Sequence, residues 1–142
     1  MALLAWVTLT LTTARIECPN RDPSCIVRSV WPADEADRAI ALIYHTPKCP
    51  NGESTGKADA RNRDGAVGLF QLVGKQRLAS TLGFPWSQMT DPYVNTIVAY
   101  IVRRLEGWHA WQCAPAAWSN PPRVEFTTTP PARARPVHRR VF

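Results

Sequence analysis

Residues 52–72, GESTGKADARNRDGAVGLFQL, decide how this chain is read. They open on a single acid, Glu53, run through polar turn formers to Asp64-Gly65, and close on the compact apolar segment AVGLFQL at 66–72. Whether Glu53 is a reactive carboxyl or a solvated loop charge depends on what flanks it.

Upstream, Ala36, Ala39, Ile40, Ile43 and Tyr44 recur at three- and four-residue spacing with acids crowding the start, which predicts an amphipathic helix over 33–45. Pro47 and Pro50 stop it, because proline lacks the N–H that a helix needs and biases its predecessor away from helical angles. Downstream, a second helix is expected over 75–81, ended at Gly83. A third is expected in DPYVNTIVAYIVRRLEG (91–107), with Asp91 as N-cap, Pro92 at the first helical position, Gly107 as the stop, and Val94, Ile97, Val98, Ile101 and Leu105 as its buried stripe. The segment RIECPNRDPSC (15–25) holds two prolines and two cysteines and reads as extended and looped. The fold class is therefore mainly α with long loops.

The chain has 142 residues, enough for one domain with its own core. Three regions are expected: an apolar leader at 1–16, a folded domain at 17–119, and a disordered tail at 120–142 rich in proline and arginine. The leader MALLAWVTLTLTTA has the length of a signal peptide and a small-residue Thr-Thr-Ala ending, though no Lys or Arg precedes its apolar run; an N-terminal strand or anchor is the alternative. It is too short and too rich in threonine to span a bilayer. Net charge is +6, and the tail, with five arginines against one glutamate, supplies +4 of it. Such a balance favours polyanionic partners such as wall polymers, anionic lipid or nucleic acid, but no recognised nucleic-acid module is present.

Cys18, Cys25, Cys49 and Cys113 form no Cys-x-x-Cys, and the three histidines lie at no zinc spacing, so neither metal nor cofactor is expected. Disulfides in an oxidising compartment are the reading. Four cysteines permit three arrangements; a Cys18–Cys25 bond would close a small loop and a Cys49–Cys113 bond a long one.

Glu53-Ser54, Ala60, Asn62, Gly65, Ala66 and Gly68-Leu69-Phe70-Gln71 resemble, in order and spacing, the Glu-Ser to Gly-Leu-Met/Phe-Gln signature of the lysozyme-like lytic transglycosylases. That family includes goose-type lysozymes and phage endolysin modules. Asp91-Pro92, Asn95, Ala99 and Tyr100 are similar to its later helix, and GWHAWQC (107–113) to the ending of resuscitation-promoting factors. The resemblance covers residues 34–113. It implies a monomeric, lysozyme-like helical domain that cuts peptidoglycan between N-acetylmuramic acid and N-acetylglucosamine, outside the cell or as a phage product. It further implies Glu53 as the general acid/base, with Gln71, Tyr100, Gly68 and Phe70 around the sugar.

The chemistry asks much of that acid. A free glutamate with a pKa of about 4.3 is protonated only about one time in 500 at pH 7, so a proton donor needs apolar surroundings. Hydrolytic glycosidases normally use two carboxylates. Asp91 reads as a cap, Asp64 as a turn residue and Asp59 as a loop residue, which leaves Glu53 alone; the resemblance then implies the route in which the sugar's own 6-hydroxyl attacks and an anhydro product forms. The spacing from helix to acid departs from the family, since HTPKCPNG (45–52) intervenes. A second register sets Thr46-Pro47 where Glu-Ser belongs, and Thr46 cannot deliver a proton. In that register either the chain is an inactive wall-binding or virion structural protein, or Glu53 reaches the cleft from an extended loop.

Overall fold

The computed structural model describes residues 17–118, so the leader and the tail lie outside the described residues. The architecture is mainly helical. The helices are α1 (Pro23–Val30), α2 (Ala33–Tyr44), α3 (Gln76–Thr81) and α4 (Pro92–Glu106), with 3₁₀ turns at Pro19–Arg21, Trp86–Thr90 and Trp108–Ala110. Among the described residues there is no strand, only isolated bridges joining Val67 to Arg61 and to Leu72.

Helix α1 corrects the expectation of an extended segment. Pro23 stands at the first helical position, where its missing N–H is not needed, and the Asp22 carboxylate accepts the Cys25 N–H at 2.8 Å as an N-cap. Helix α4 repeats the device: Asp91 accepts from the Tyr93 and Val94 N–H groups, and Gly107 ends the helix at φ 83°. Its buried face differs from the expected stripe. Asn95, Val98, Ala99 and Val102 are buried, Val94, Ile97 and Ile101 are half-buried, and Leu105 is 68% exposed. The inward face is thus rotated toward the smaller residues, where α1 packs closely on α4.

The core joins α1, α2 and α4 to the 66–72 segment and the chain after α4. Trp31, in the α1–α2 turn, is stacked between Phe70 and Trp108, with ring centroids 5.5 Å away in each case. Trp111 leans on both Phe70 and Trp108. Beside this column Arg103 is buried, its guanidinium 4.8 Å over the Trp108 ring and 3.3 Å from the Glu35 carboxylate. Pairing is what makes such a charge tolerable inside, since an isolated one would be strongly disfavoured. Two disulfides complete the frame, Cys18–Cys25 and Cys49–Cys113.

Candidate active site

The site is built where α2 ends. The C-terminal carbonyls of a helix have no partners within it and must find them elsewhere. Here the chain leaves at His45, makes a tight detour through residues 46–52, and returns to provide the missing donors. The Glu53 N–H donates to the Leu42 carbonyl at 2.9 Å, and the Thr55 N–H to the Ile43 carbonyl at 3.1 Å. Gly52 lies so close against the helix end, at φ 64°, that an added Cβ would collide with the Ile43 carbonyl. Gly56 passes as closely over the Tyr44 ring, 2.6 Å from where its own Cβ would stand. Eight intervening residues therefore cost no distance in space: the acid sits on the helix end although the sequence has left it.

Glu53 itself is half-buried. Burial pushes its carboxyl above the usual glutamate range, and one donor, the Cys113 N–H, partly offsets that by favouring the ionised form. Thr46, the competing residue, is 2% exposed and lies beneath the detour, its hydroxyl donating to the Cys113 carbonyl at 2.8 Å. The Ser54 side chain is also buried.

Further along the chain, residues 60–72 form a knot. Val67 and Leu72 exchange both backbone hydrogen bonds, the Gly68 N–H donates to the Ala60 carbonyl at 2.9 Å, and Asn62 Oδ1 accepts from the Asp64 and Ala66 N–H groups. Gln71, at φ 44°, donates its side-chain amide to the carbonyls of Ala60 and Gly68. Its Nε2 is thereby committed to the loop, and its Oε1 is the atom left to accept from a ligand.

The other residues expected around a sugar are placed differently. Phe70 is fully buried, its ring against Trp31 and Trp111, so it supports the knot from below and cannot touch a glycan. Gly68 is buried too. An added Cβ there would meet the Asn95 amide and the Met89 carbonyl, so the glycine serves the packing of the knot onto α4 instead of an approach by substrate. Tyr100 is half-buried edge-on to Trp31 at 5.4 Å and makes no hydrogen bond to Glu53 among the described residues. Of the three tryptophans near the C-terminal end, Trp108 and Trp111 are buried and only Trp118 keeps a partly open face.

Two participants have no role assigned from sequence, although Asn95 belongs to the motif of the later helix. Asn95 is fully buried and clamps the knot to α4: Oδ1 accepts the Phe70 N–H at 2.9 Å while Nδ2 donates to the Val67 and Met89 carbonyls at 3.0 Å. An amide set in an otherwise apolar helix was the available signal, since buried polar groups require partners. The Cys113 N–H, by contrast, is a backbone group that no residue pattern advertises. The remaining acids are engaged or open: Asp91 caps α4 and pairs with Arg21, while Asp59 and Asp64 are exposed. No group of three His, Cys, Asp or Glu among the described residues is placed to hold a metal ion. No protein-family model, no curated protein and no solved structure matches this chain, so the resemblance to lytic transglycosylases rests on its motif residues alone.

Proposed function

We propose that the chain is a peptidoglycan-cleaving enzyme of the lysozyme-like lytic transglycosylase kind, with Glu53 as its single general acid/base. The observation that carries this reading is the Glu53 carboxyl, held on the end of α2, half-buried and pushed toward the protonated form. A carboxyl in that state gives its proton to the glycosidic oxygen between N-acetylmuramic acid and N-acetylglucosamine as the bond to C1 breaks. The resulting carboxylate, steadied by the Cys113 N–H, takes the proton of the muramic 6-hydroxyl as that oxygen bonds to C1. The anhydro ring closes, Glu53 regains its proton, and no second carboxylate is needed. Gln71 Oε1 is the candidate acceptor for an N-acetyl N–H. Two disulfides fit export or a phage product acting outside the cytoplasm.

The burial of Phe70 and Gly68 favours a second reading, a wall-binding or virion structural protein that keeps the scaffold without the reaction. Clearing of a peptidoglycan suspension tests both. Wild-type protein is expected to clear it and Glu53→Gln to lose at least a hundredfold in rate, on the order of what one acid/base group contributes. Clearing retained by Glu53→Gln rejects the acid. No clearing by wild type, with protein sedimenting on the wall, selects the second reading.

A further inference from the structure

The last residue of α2 is an aromatic that the core leaves out. Ala36, Ala39, Leu42 and Ile43 form the buried side of the helix, whereas Tyr44 is 37% exposed. Among the described residues its ring meets no other ring and its hydroxyl makes no hydrogen bond. The backbone that passes over it is strained. Thr55 stands at φ 55° and Gly56 at φ 78°; left-handed angles are uncommon for a β-branched residue such as threonine, and strain of this kind gathers at functional sites. Gly56 meets the ring at its hydroxyl end, where an added Cβ would stand 2.6 Å from Cε1 and 3.0 Å from Cζ and Oη. A side chain at 56 would press on the ring, and glycine leaves the rest of it open to solvent.

The ring belongs to the same run of turns as the acid and Gln71. Tyr44 is two residues from Leu42, whose carbonyl the Glu53 N–H meets at 2.9 Å. From there the Lys57 N–H donates to the Ser54 carbonyl at 3.1 Å, the Ala60 N–H to the Lys57 carbonyl at 3.3 Å, and the Gln71 amide to the Ala60 carbonyl at 3.0 Å. Gly56 is one Cα step of about 3.8 Å from Lys57, and a closed turn holds its ends within about 7 Å, so Gly56 lies within about 11 Å of Ala60. A disaccharide spans such a distance. We propose that the exposed ring of Tyr44 is a platform on which one pyranose ring of the glycan lies, at the opposite end of these turns from Gln71. This deepens, and rests on, the reading of Glu53 and Gln71 as a glycan site. The face of an aromatic ring is negative and the C–H bonds of a sugar ring are weakly positive, so the two attract while apolar area leaves water. The unengaged hydroxyl is left to bond a sugar hydroxyl or an N-acetyl group.

The test uses the full chain carrying Glu53→Gln as parent, with a tetrasaccharide of alternating N-acetylglucosamine and N-acetylmuramic acid as the probe and titration calorimetry as the readout. Tyr44→Leu removes the ring and keeps an apolar side chain at the helix end. It is expected to raise Kd roughly fivefold to tenfold, while Tyr44→Phe, which keeps the ring, stays within about twofold of the parent. In the clearing assay, Tyr44→Leu alone is expected to raise KM by a similar factor with little change in kcat, as for a contact made equally in the ground and transition states. A Kd unmoved by Tyr44→Leu overturns the platform, as does a Tyr44→Phe chain that binds as weakly as Tyr44→Leu or a parent that does not bind the tetrasaccharide. Should Tyr44→Leu not fold, saturation-transfer NMR on the parent decides: transfer from the Tyr44 ring protons to the sugar retains the platform, and its absence removes it. Weaker binding by Tyr44→Leu in a protein that never cuts glycan keeps this inference and removes the proposed enzyme. Cutting by wild type with a Kd indifferent to Tyr44 does the reverse.

Discussion

Glu53 meets two opposing demands. Its backbone N–H is spent on the Leu42 carbonyl, which fixes it in place, while its carboxyl is kept from full solvation and so retains a proton more readily than a free glutamate. The linkage has a definite sign. A carboxyl whose folded pKa is raised binds more protons folded than unfolded, so stability falls as pH rises from the ordinary glutamate range through the raised value. Glu53→Gln removes the ionised form and keeps an oxygen for the Cys113 N–H. The variant is therefore expected to melt a few degrees above wild type at pH 7, with the difference vanishing below about pH 4, where the unfolded glutamate is protonated as well. Thermal denaturation at the two pH values checks this; a variant less stable than wild type at pH 7 would contradict the burial argument.

At the scale of elements, the same Asp-Pro signature starts both α1 and α4, at Asp22-Pro23 and Asp91-Pro92. It was legible at 91 because a long apolar period followed, and illegible at 22 because two cysteines and a second proline made the stretch look like a loop. Burial raises the Asp91 carboxyl, but the Val94 N–H, Arg21 and the Tyr93 N–H together hold it below the usual aspartate range. Its stabilising effect is thus present above that ordinary range and lost as pH falls through the depressed value. Asp91→Ala is expected to cost about 1 kcal/mol in urea denaturation at pH 7, with Asp91→Asn retaining most of the cap. The stop of α2 was also legible, from Pro47 and Pro50. What sequence could not reveal was the return of residues 53–55 onto the helix end, because hydrogen bonds between a loop and a helix terminus leave no periodic trace. The resemblance implies Phe70 and Gly68 at a sugar site, whereas an aromatic beside apolar neighbours reads from sequence alone as core, and Trp31 and Asn95 place both residues there.

For the whole molecule, the Cys49–Cys113 bond links the turn that carries Glu53 to the chain after α4, with 64 residues of separation between the cysteines. On the chain-entropy account a loop of that size contributes roughly 4 kcal/mol, so replacing both cysteines by serine is expected to lower stability by about that amount in denaturant unfolding. The larger effect is local, since Cys113 supplies both the donor to Glu53 and the acceptor for Thr46. Core and site are therefore one construction: the tryptophan column supports the 66–72 knot, Asn95 clamps that knot to α4, and the disulfide closes the far side. The most direct measurement is mass spectrometry of fragments released from purified peptidoglycan. Wild type is predicted to release glycan ends lighter than hydrolytic ends by one water, the mark of a 1,6-anhydro ring, and Glu53→Gln to release none above background. Equal release by the two proteins would contradict the account, as would intact glycan after incubation with folded wild type.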